Sequence, residues 1–422
     1  MKNICLVLSF VVFTITANAK TWIVRPAGPL QTLQEAINNA MPGDTIMVER
    51  GVYREPTIVV NKPLYLKGIG YPVLDGQKKN EIMIIKSSRV IVEGFALQHS
   101  GYSGYNDIAA IRIVNSRNVI IRNNKLDDTF FGIYSQHANN CTIANNELRS
   151  NAVNEITSAN GIHCWKSDSM LIVNNKITGH RDGIYFEFVT NSMIKNNTSA
   201  GNVRYGLHFM FSNNDAYVGN QFRNNGAGVA VMFSKGVTML QNTFIENWGS
   251  AAYGILLKEI SDSRIAFNRF VRNTTGIYME GTNRIKVEQN VFDNNGWALK
   301  IQASCSENTV TQNNFLGNSF DVATNGSLVL NSFNSNYWDK YEGYDLNRDG
   351  VGDVPYRPVS VYAMIAERNP VTMMLFRSFI TTLLDKAEKT MPGFIPENLK
   401  DDQPRMKIFR RATVNAGVAS EP

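Results

Sequence analysis

The amino-acid sequence predicts an all-β solenoid, a right-handed parallel β-helix with an N-terminal helical cap and a C-terminal helix. Three patterns lead there. First, from Ala110 to about Asn331 one short stretch recurs, opening on Gly and an apolar residue, as in GIYSQHANNCTIANNEL at Gly132 and GIHCWKSDSMLIVNNKI at Gly161. Further copies open at Gly183, Gly206, Gly228, Gly254 and Gly276, with degenerate ones at Ala110, Ala298 and Asp321. Most spacings are 22 or 23 residues, with short insertions before Gly161 and Gly254. A fixed period of this kind marks units that cannot bury their own apolar face and must stack on their neighbours. Second, apolar and polar residues alternate within each copy, and the apolar ones are mostly Ile, Val, Leu and Phe, which is strand chemistry and excludes the helical repeats. The residues that follow each Gly, namely Ile133, Ile162, Ile184, Leu207, Val229, Ile255, Ile277 and Leu299, should then form an inward aliphatic stack. Third, Asn pairs recur at a fixed offset, as in Asn123-Asn124, Asn145-Asn146, Asn174-Asn175 and Asn196-Asn197. Asn tolerates left-handed backbone and bonds from coil to coil, so these pairs read as turns carrying a ladder.

Taken in order, the chain begins with residues 1–19, where one Lys, an apolar run from Ile4 to Ile15 and Ala17-Asn18-Ala19 predict a secretory signal cleaved before Lys20 and a periplasmic or extracellular mature protein. No other stretch is long and apolar enough to cross a bilayer. Residues 20–76 read as the N-terminal cap and first coils. Within them, Leu33, Ala36, Ile37 and Ala40 share one face of a short helix that would plug the open end of the stack. Residues 77–338 read as the body of the β-helix. About 400 mature residues would suggest two or more globular domains, but a solenoid grows by addition and remains one elongated unit. The net charge of +6 is mild and scattered, which gives no nucleic-acid footprint. Cys5 leaves with the signal, and Cys141, Cys164 and Cys305 form an odd set without a C-x-x-C, so Cys164 reads as a small buried thiol.

After the last coil, residues 339–358 form an acidic calcium-type loop. Asp345, Asn347, Asp349 and Asp353 hold positions 1, 3, 5 and 9, Gly350 the sharp sixth position, and Val351 the carbonyl of the seventh. Position 12 is Tyr356 and not a bidentate Glu, so the predicted site is weakened. A metal-free turn closing the end of the stack is the alternative. In residues 359–400, apolar residues at 373, 376, 379, 380, 383 and 384 have helical spacing, and Pro392-Gly393 ends the run. That helix could pack on the end of the solenoid, the default, or dock on a membrane partner; Met373, Met374, Leu375 and Phe376 are apolar nearly all round and leave surplus surface, which with Phe379 favours docking on a partner. Residues 401–422 read as a flexible tail.

Outward residues lie two and four places after each Gly. The first series runs Tyr134, His163, Tyr185, His208, Ala230, Leu256, Tyr278, Lys300, and the second Gln136, Trp165, Glu187, Met210, Met232, Lys258, Glu280, Gln302. A secreted β-helix that cleaves polysaccharide, as lyase or hydrolase, is the alternative from another function class, and it needs clustered acids on adjacent coils. Glu187 and Glu280 are the only carboxylates in the two series and stand apart, so an enzyme is the weaker reading.

The coil RYGLHFMFS from Arg204 to Ser212, GVAVMFSKGV from Gly228, YGILLKE from Tyr253, the loop NYWDKYEGYDLNRDGVGDVPYRP and the ending MPGFIPENLKDDQPRM together resemble the NosD family, over almost the whole mature chain. That resemblance implies a non-enzymatic periplasmic β-helix. It would work with an ABC transporter ATPase and permease, and with a copper chaperone lipoprotein, in assembling the copper-sulfide site of nitrous oxide reductase. It directs attention to the outward face around His208, Met210 and Met232, with His163 and Glu187 nearby, as a surface for copper or for the partner that carries it. Thioether and imidazole donors suit Cu(I). The apolar helix would be the part that docks on the permease.

Overall fold

The computed structural model describes residues 19–103, 105–156, 158–326, 330–376, 378–390 and 399–409. The predicted signal sequence up to Asn18, and residues 410–422, lie outside this set. Each coil contributes three short strands, and each strand pairs in parallel with its counterpart one coil on. Among the described residues this gives three sheets of 12, 14 and 13 strands running along the stack.

The strand after each repeat Gly belongs to the 12-stranded sheet. Its eight predicted inward residues, from Ile133 to Leu299, are direct register partners and all fully buried. The Gly itself answers to close approach and not to a turn. A Cβ on Gly206 would stand 2.6 Å from the Gly228 carbonyl oxygen and 2.8 Å from a ring carbon of Phe222. That ring begins a column of Phe222, Phe244, Phe270, Phe292, Phe315 and Trp338, with successive centroids 4.1 to 5.4 Å apart. Such pairs add about 0.5–1.5 kcal/mol each beyond their buried area.

The Asn pairs divide the work of the turn. The first member takes left-handed backbone, with φ of 56°, 55°, 56° and 55° at Asn123, Asn145, Asn174 and Asn196. The second member is buried, and each side-chain Nδ2 donates to the next Oδ1 at 3.0–3.1 Å, from Asn124 through Asn146, Asn175, Asn197, Asn220, Asn242, Asn268, Asn290 and Asn313 to Asn336. Leaving one such amide unpaired costs about 1–3 kcal/mol, so the ladder fixes register along the stack. A second ladder, not anticipated, links Asn202, Asn225, Asn247, Asn273, Asn295 and Asn318 at the next corner.

At the N-terminal end, helix α1 (Leu33–Asn39) is capped by the Thr32 hydroxyl, which accepts from the Glu35 N–H, and buries Leu33, Ala36 and Ile37. It packs against the first strands, Thr21–Val24, Thr45–Val48 and Ile58–Val60, as the amphipathic pattern predicts. The thiols of Cys141, Cys164 and Cys305 are all buried and free, and burial pushes the Cys164 thiol well above its ordinary value.

The C-terminal end differs from the sequence reading in two ways. The single helix expected from 371 onward is instead helix α2 (Val361–Arg368), a 3-10 turn over Pro370–Leu375, and helix α3 (Phe379–Thr390). Asn369 caps the turn and Pro370, lacking an N–H, opens it, whereas the apolar spacing from 373 to 384 suggested one helix across the end of the turn at Leu375 and the start of α3 at Phe379. Second, residues 401–409 are not a flexible tail. The Asp401 carboxylate is fully buried and accepts from the Asn336 backbone N–H at 2.9 Å, its Nδ2 at 2.9 Å and Trp338 Nε1 at 3.1 Å, which terminates the first Asn ladder. A ladder that ends on a donor needs an acceptor, and a polar segment supplies it.

Candidate functional site

Residues two places after each Gly point out of the 12-stranded sheet, yet several are buried, because their rings stack along the coil axis. Tyr134, His163, Tyr185 and His208 form one column, with centroids 4.5, 4.7 and 4.6 Å apart. Burial, reinforced by the Arg181 charge, lowers His163 to about 3, so its imidazole is neutral. Burial likewise raises Tyr134 and Tyr185 to about 12.

His208 is held by its surroundings more than by any hydrogen bond. Tyr185 covers one side and Tyr205 packs at 4.9 Å. Behind it stands Asp182, fully buried, whose Oδ1 accepts from Arg204 Nε at 2.9 Å and whose Oδ2 lies 3.7 Å from His208 Nδ1. Burial alone would raise the Asp182 carboxyl, but Arg204 and His208 pull it down to about 2. The Arg of the RYGLHFMFS coil therefore serves to fix a carboxylate beneath its His.

Two residues on from His208, on the same face, Met210 pairs in register with Met232 of the next coil. Both are half-buried, and the Tyr185 hydroxyl donates to Met210 Sδ at 3.6 Å. Glu187 is the register partner of Met210 on the coil before, and His163 lies two coils before His208 with Tyr185 between them. The structure thus brings His208, Met210, Met232 and Glu187 side by side and sets His163 apart, under a cavity lined also by Trp165 and Arg181.

Among the described residues no three or more His, Cys, Asp or Glu gather as a metal site. The donors that do adjoin are two thioethers on neighbouring coils and an imidazole whose buried ring nitrogens have no hydrogen-bond partner. That set fits a soft Cu(I) cargo and is poor for calcium or magnesium.

One feature escaped the sequence reading. Phe188, Phe211 and Phe233, five places after three successive repeat Gly residues, are exposed and stack with centroids 5.1 Å apart. All three have left-handed backbone, with φ of 53°, 51° and 51°, which is unfavourable for Phe. Their recurrence at one offset was the available signal.

The acidic loop stands at the C-terminal end of the stack. Its side chains are turned on their own backbone: Asp345 accepts from the N–H groups of Asp349 and Gly350, Asp349 from that of Val351, and Asp353 from that of Leu346. Asn347 Oδ1 accepts from the Asp349 N–H, and Gly350 takes the left-handed backbone its place requires, with φ of 84°. Position 12, Tyr356, packs on Trp338 at 5.2 Å.

The four residues expected to dock on a partner separate. Met373 and Phe376 turn inward onto Trp297, Phe320 and Tyr362, covering the outer face of the last coils. Met374 is 87% exposed and Phe379 80% exposed, and with Val371, Ile380 and Leu383 they form an apolar strip on the outer side. The split already runs through the 3-10 turn, where the adjacent Met373 and Met374 face opposite ways, and continues on α3, where Phe379 is exposed.

A family model described as "Periplasmic copper-binding protein (NosD)" matches residues 150–343, and one described as "Right handed beta helix region" matches residues 73–177, in accord with the expected hand. A protein of Pseudomonas aeruginosa named "Probable ABC transporter binding protein NosD" is 28% identical over 371 residues, covering 83% of this chain and 85% of the relative. One of Stutzerimonas stutzeri with the same name is 26% identical over 370 residues, covering 83% and 84%. Among solved structures, the catalytic domain of a GH87 alpha-1,3-glucanase in complex with tetrasaccharides aligns with a TM-score of 0.60 at 11% identity, covering 76% of this chain and 69% of that one. PfbA, a surface adhesin of Streptococcus pneumoniae, aligns with a TM-score of 0.51 at 12% identity, covering 69% and 87%. These structural likenesses show the fold alone. No helix among the described residues is long and apolar enough to cross a membrane. The RYGLHFMFS and GVAVMFSKGV coils fall inside the first matched region, and the two relatives, similar over most of their length, agree with it: the chain is a β-helix protein similar to the NosD family.

Proposed function

We propose that this chain is a periplasmic binding protein that works with an ABC transporter ATPase and permease and a copper chaperone lipoprotein in assembling the copper-sulfide site of nitrous oxide reductase. The family description supports the periplasm and copper, and the relatives' names support a binding role beside an ABC transporter in preference to catalysis. The observation that carries the copper reading is the register pair Met210–Met232 beside the His208 imidazole, whose Nδ1 faces Asp182 at 3.7 Å and whose Nε2 has no hydrogen-bond partner. In this reading Arg204 and Asp182 orient the imidazole, and the Met pair offers soft donors that long side chains can bring together.

The double variant His208→Ala with Met210→Ala tests it, by Cu(I) competition against a chelator and by the copper content of the reductase in cells. Loss of about tenfold or more in Cu(I) affinity together with a copper-poor reductase is expected, since that is the scale of removing one ligand interaction. Normal Cu(I) affinity with a failed reductase would reassign the face to partner docking, and normal behaviour in both assays would remove it from the mechanism. Docking on the permease is assigned to the outer strip. The variant Met374→Asp with Phe379→Asp should keep the fold, because both side chains are exposed, and abolish co-purification with the transporter.

A further inference from the structure

The N-terminal half of the outward face holds a groove that meets the copper reading only at its far end, through His163 and Glu187. Two cavities of about 610 and 520 Å³ lie end to end on it and share Tyr105, Asn106, Asp107 and Gln136. Their floor follows the two outward series coil by coil: Ile84, Arg112, Tyr134 and His163 in one, Val114, Gln136, Trp165 and Glu187 in the other, each in register with the next. The walls are chain that departs from the coil pattern. One is the stretch around Tyr105 to Ile108, which Arg112 ties down by donating to the Asp107 carbonyl oxygen. The other is the insertion before Gly161, reaching the groove through Ile156, Ser158 and Ala159.

The groove is furnished for a ligand. His163 is 7% exposed, and both ring nitrogens lack a hydrogen-bond partner. Tyr134 and Tyr185 pack against it on either side along the stack, so the imidazole has its edge left for the cavity it lines. Arg181 Nε, at the same cavity, is likewise buried without a partner. A buried polar group left unpaired costs about 1–3 kcal/mol, which a bound hydroxyl or carboxylate would recover. Aromatic rings of Phe130, Tyr134 and Trp165 alternate with the charged and amide groups of Arg181, Glu187, Asp107 and Gln136.

We propose that this groove binds an oligosaccharide lengthwise along the coil stack. The mixture of ring edges and faces with both donors and acceptors suits a polyhydroxylated ring, which offers apolar C–H patches and hydroxyls of both senses. It does not suit a purely apolar ligand or a polyphosphate, since the carboxylates of Glu187 and Asp107 line the same cavity as Arg181. The repeat also discriminates. Coils succeed one another at about 4.8 Å, close to the length of one pyranose ring, whereas an extended peptide advances about 3.3 Å per residue and falls out of step. Each sugar ring can therefore meet the same pair of outward positions on successive coils, Gln136, then Trp165, then Glu187. This inference does not rest on the Met210–Met232 pair or on His208, which lie outside the groove lining.

The test is titration of the full-length mature protein with chitotriose and with a galacturonate trimer, followed by calorimetry and by tryptophan fluorescence, with a tri-alanine peptide as control. Saturable binding of one trimer in the millimolar range or tighter is expected, and the preferred trimer tells whether Arg181 reads a carboxylate. Trp165→Ala, a change at a half-buried side chain, and His163→Phe, which keeps the stacked column while removing the nitrogens, should each weaken it about tenfold. An unchanged circular dichroism spectrum and melting temperature separate lost binding from lost fold. The proposal is overturned if neither trimer binds the wild type, if both variants bind as the wild type does, or if the peptide binds equally well.

Discussion

Asp215 shows how a single residue can set the pH response of a solenoid. It is fully enclosed, one oxygen accepts from the Ser192 N–H at 2.8 Å, and the other has no hydrogen-bond partner. Burial raises the carboxyl to about 8 against the pull of that one bond. In the unfolded chain the same group ionises near 3.8, so folding takes up a proton between those values. Its contribution is complete below about pH 4 and is lost as the pH rises to about 8, by up to about 1.4 kcal/mol per pH unit. Unfolding in urea across that range should show wild-type stability falling relative to Asp215→Asn, whose amide cannot ionise. Parallel curves would show that the carboxyl is solvated. His163 and His180 act in the opposite sense: both are lowered to about 3 by burial, so their contribution is present above about pH 6.5 and is lost as the pH falls through 3. The alternation that placed Ile133 or Leu207 inside carries no warning of a buried acid, because Asp215 occupies a turn-proximal place filled by Ser192 one coil before and Val237 one coil on.

Among the elements, the acidic loop and the C-terminal helices were the least legible in sequence, for different reasons. The loop's spacing is that of a cation site, but the same Asx chemistry also closes a turn on its own N–H groups, and spacing does not choose between them. The Asp345 carboxylate accepts two such bonds, at 3.1 and 2.9 Å. Asp345→Ala should therefore destabilise the C-terminal end by about 1–2 kcal/mol whether calcium is present or not. A melting temperature that rises with calcium in metal-stripped wild type, and does not rise in the variant, would make the loop a cation site. For the helices, periodicity found the apolar residues of 371–390 but not their division between a 3-10 turn ending at Leu375 and α3 starting at Phe379, and it gave no separate place to α2. The body of the molecule was legible because each coil repeats the evidence: one Gly, one aliphatic residue and one Asn pair predict little singly, but they recur at one offset through successive copies.

At the scale of the whole molecule, the outward face of one sheet is divided along its length. The walled groove comes first, then the coils of His208, Met210 and the exposed Phe stack, then the last coils beneath α2, where Lys300 meets Glu367 at 2.6 Å. Sequence periodicity could find the series that make up this face, but not what covers it, since the walls come from insertions and from the chain end that the repeat does not encode. Tyr134 and His163 lie under such walls and in a ring stack, and His208 is covered by Tyr185 and Tyr205, so these nominally outward rings are buried.

The Asn ladder has a direction. Every Nδ2 points toward the C-terminal end, so the amides align as a row of dipoles whose donor end meets the Asp401 carboxylate. Such a row is indifferent to how many members it has, provided both ends stay in place. Excising residues 206–227, one whole copy, would let Asn197 donate to Asn242 and Asn202 to Asn247 with no other change of pattern. The shortened chain should fold, with a circular dichroism spectrum of the same shape, while losing the His208 and Met210 that we assign to copper. Failure to fold would mean that the coils are not interchangeable. If it folds, the length of this protein is a quantity that duplication and deletion can adjust in steps of about 4.8 Å, and with it the spacing between its groove and its C-terminal helices.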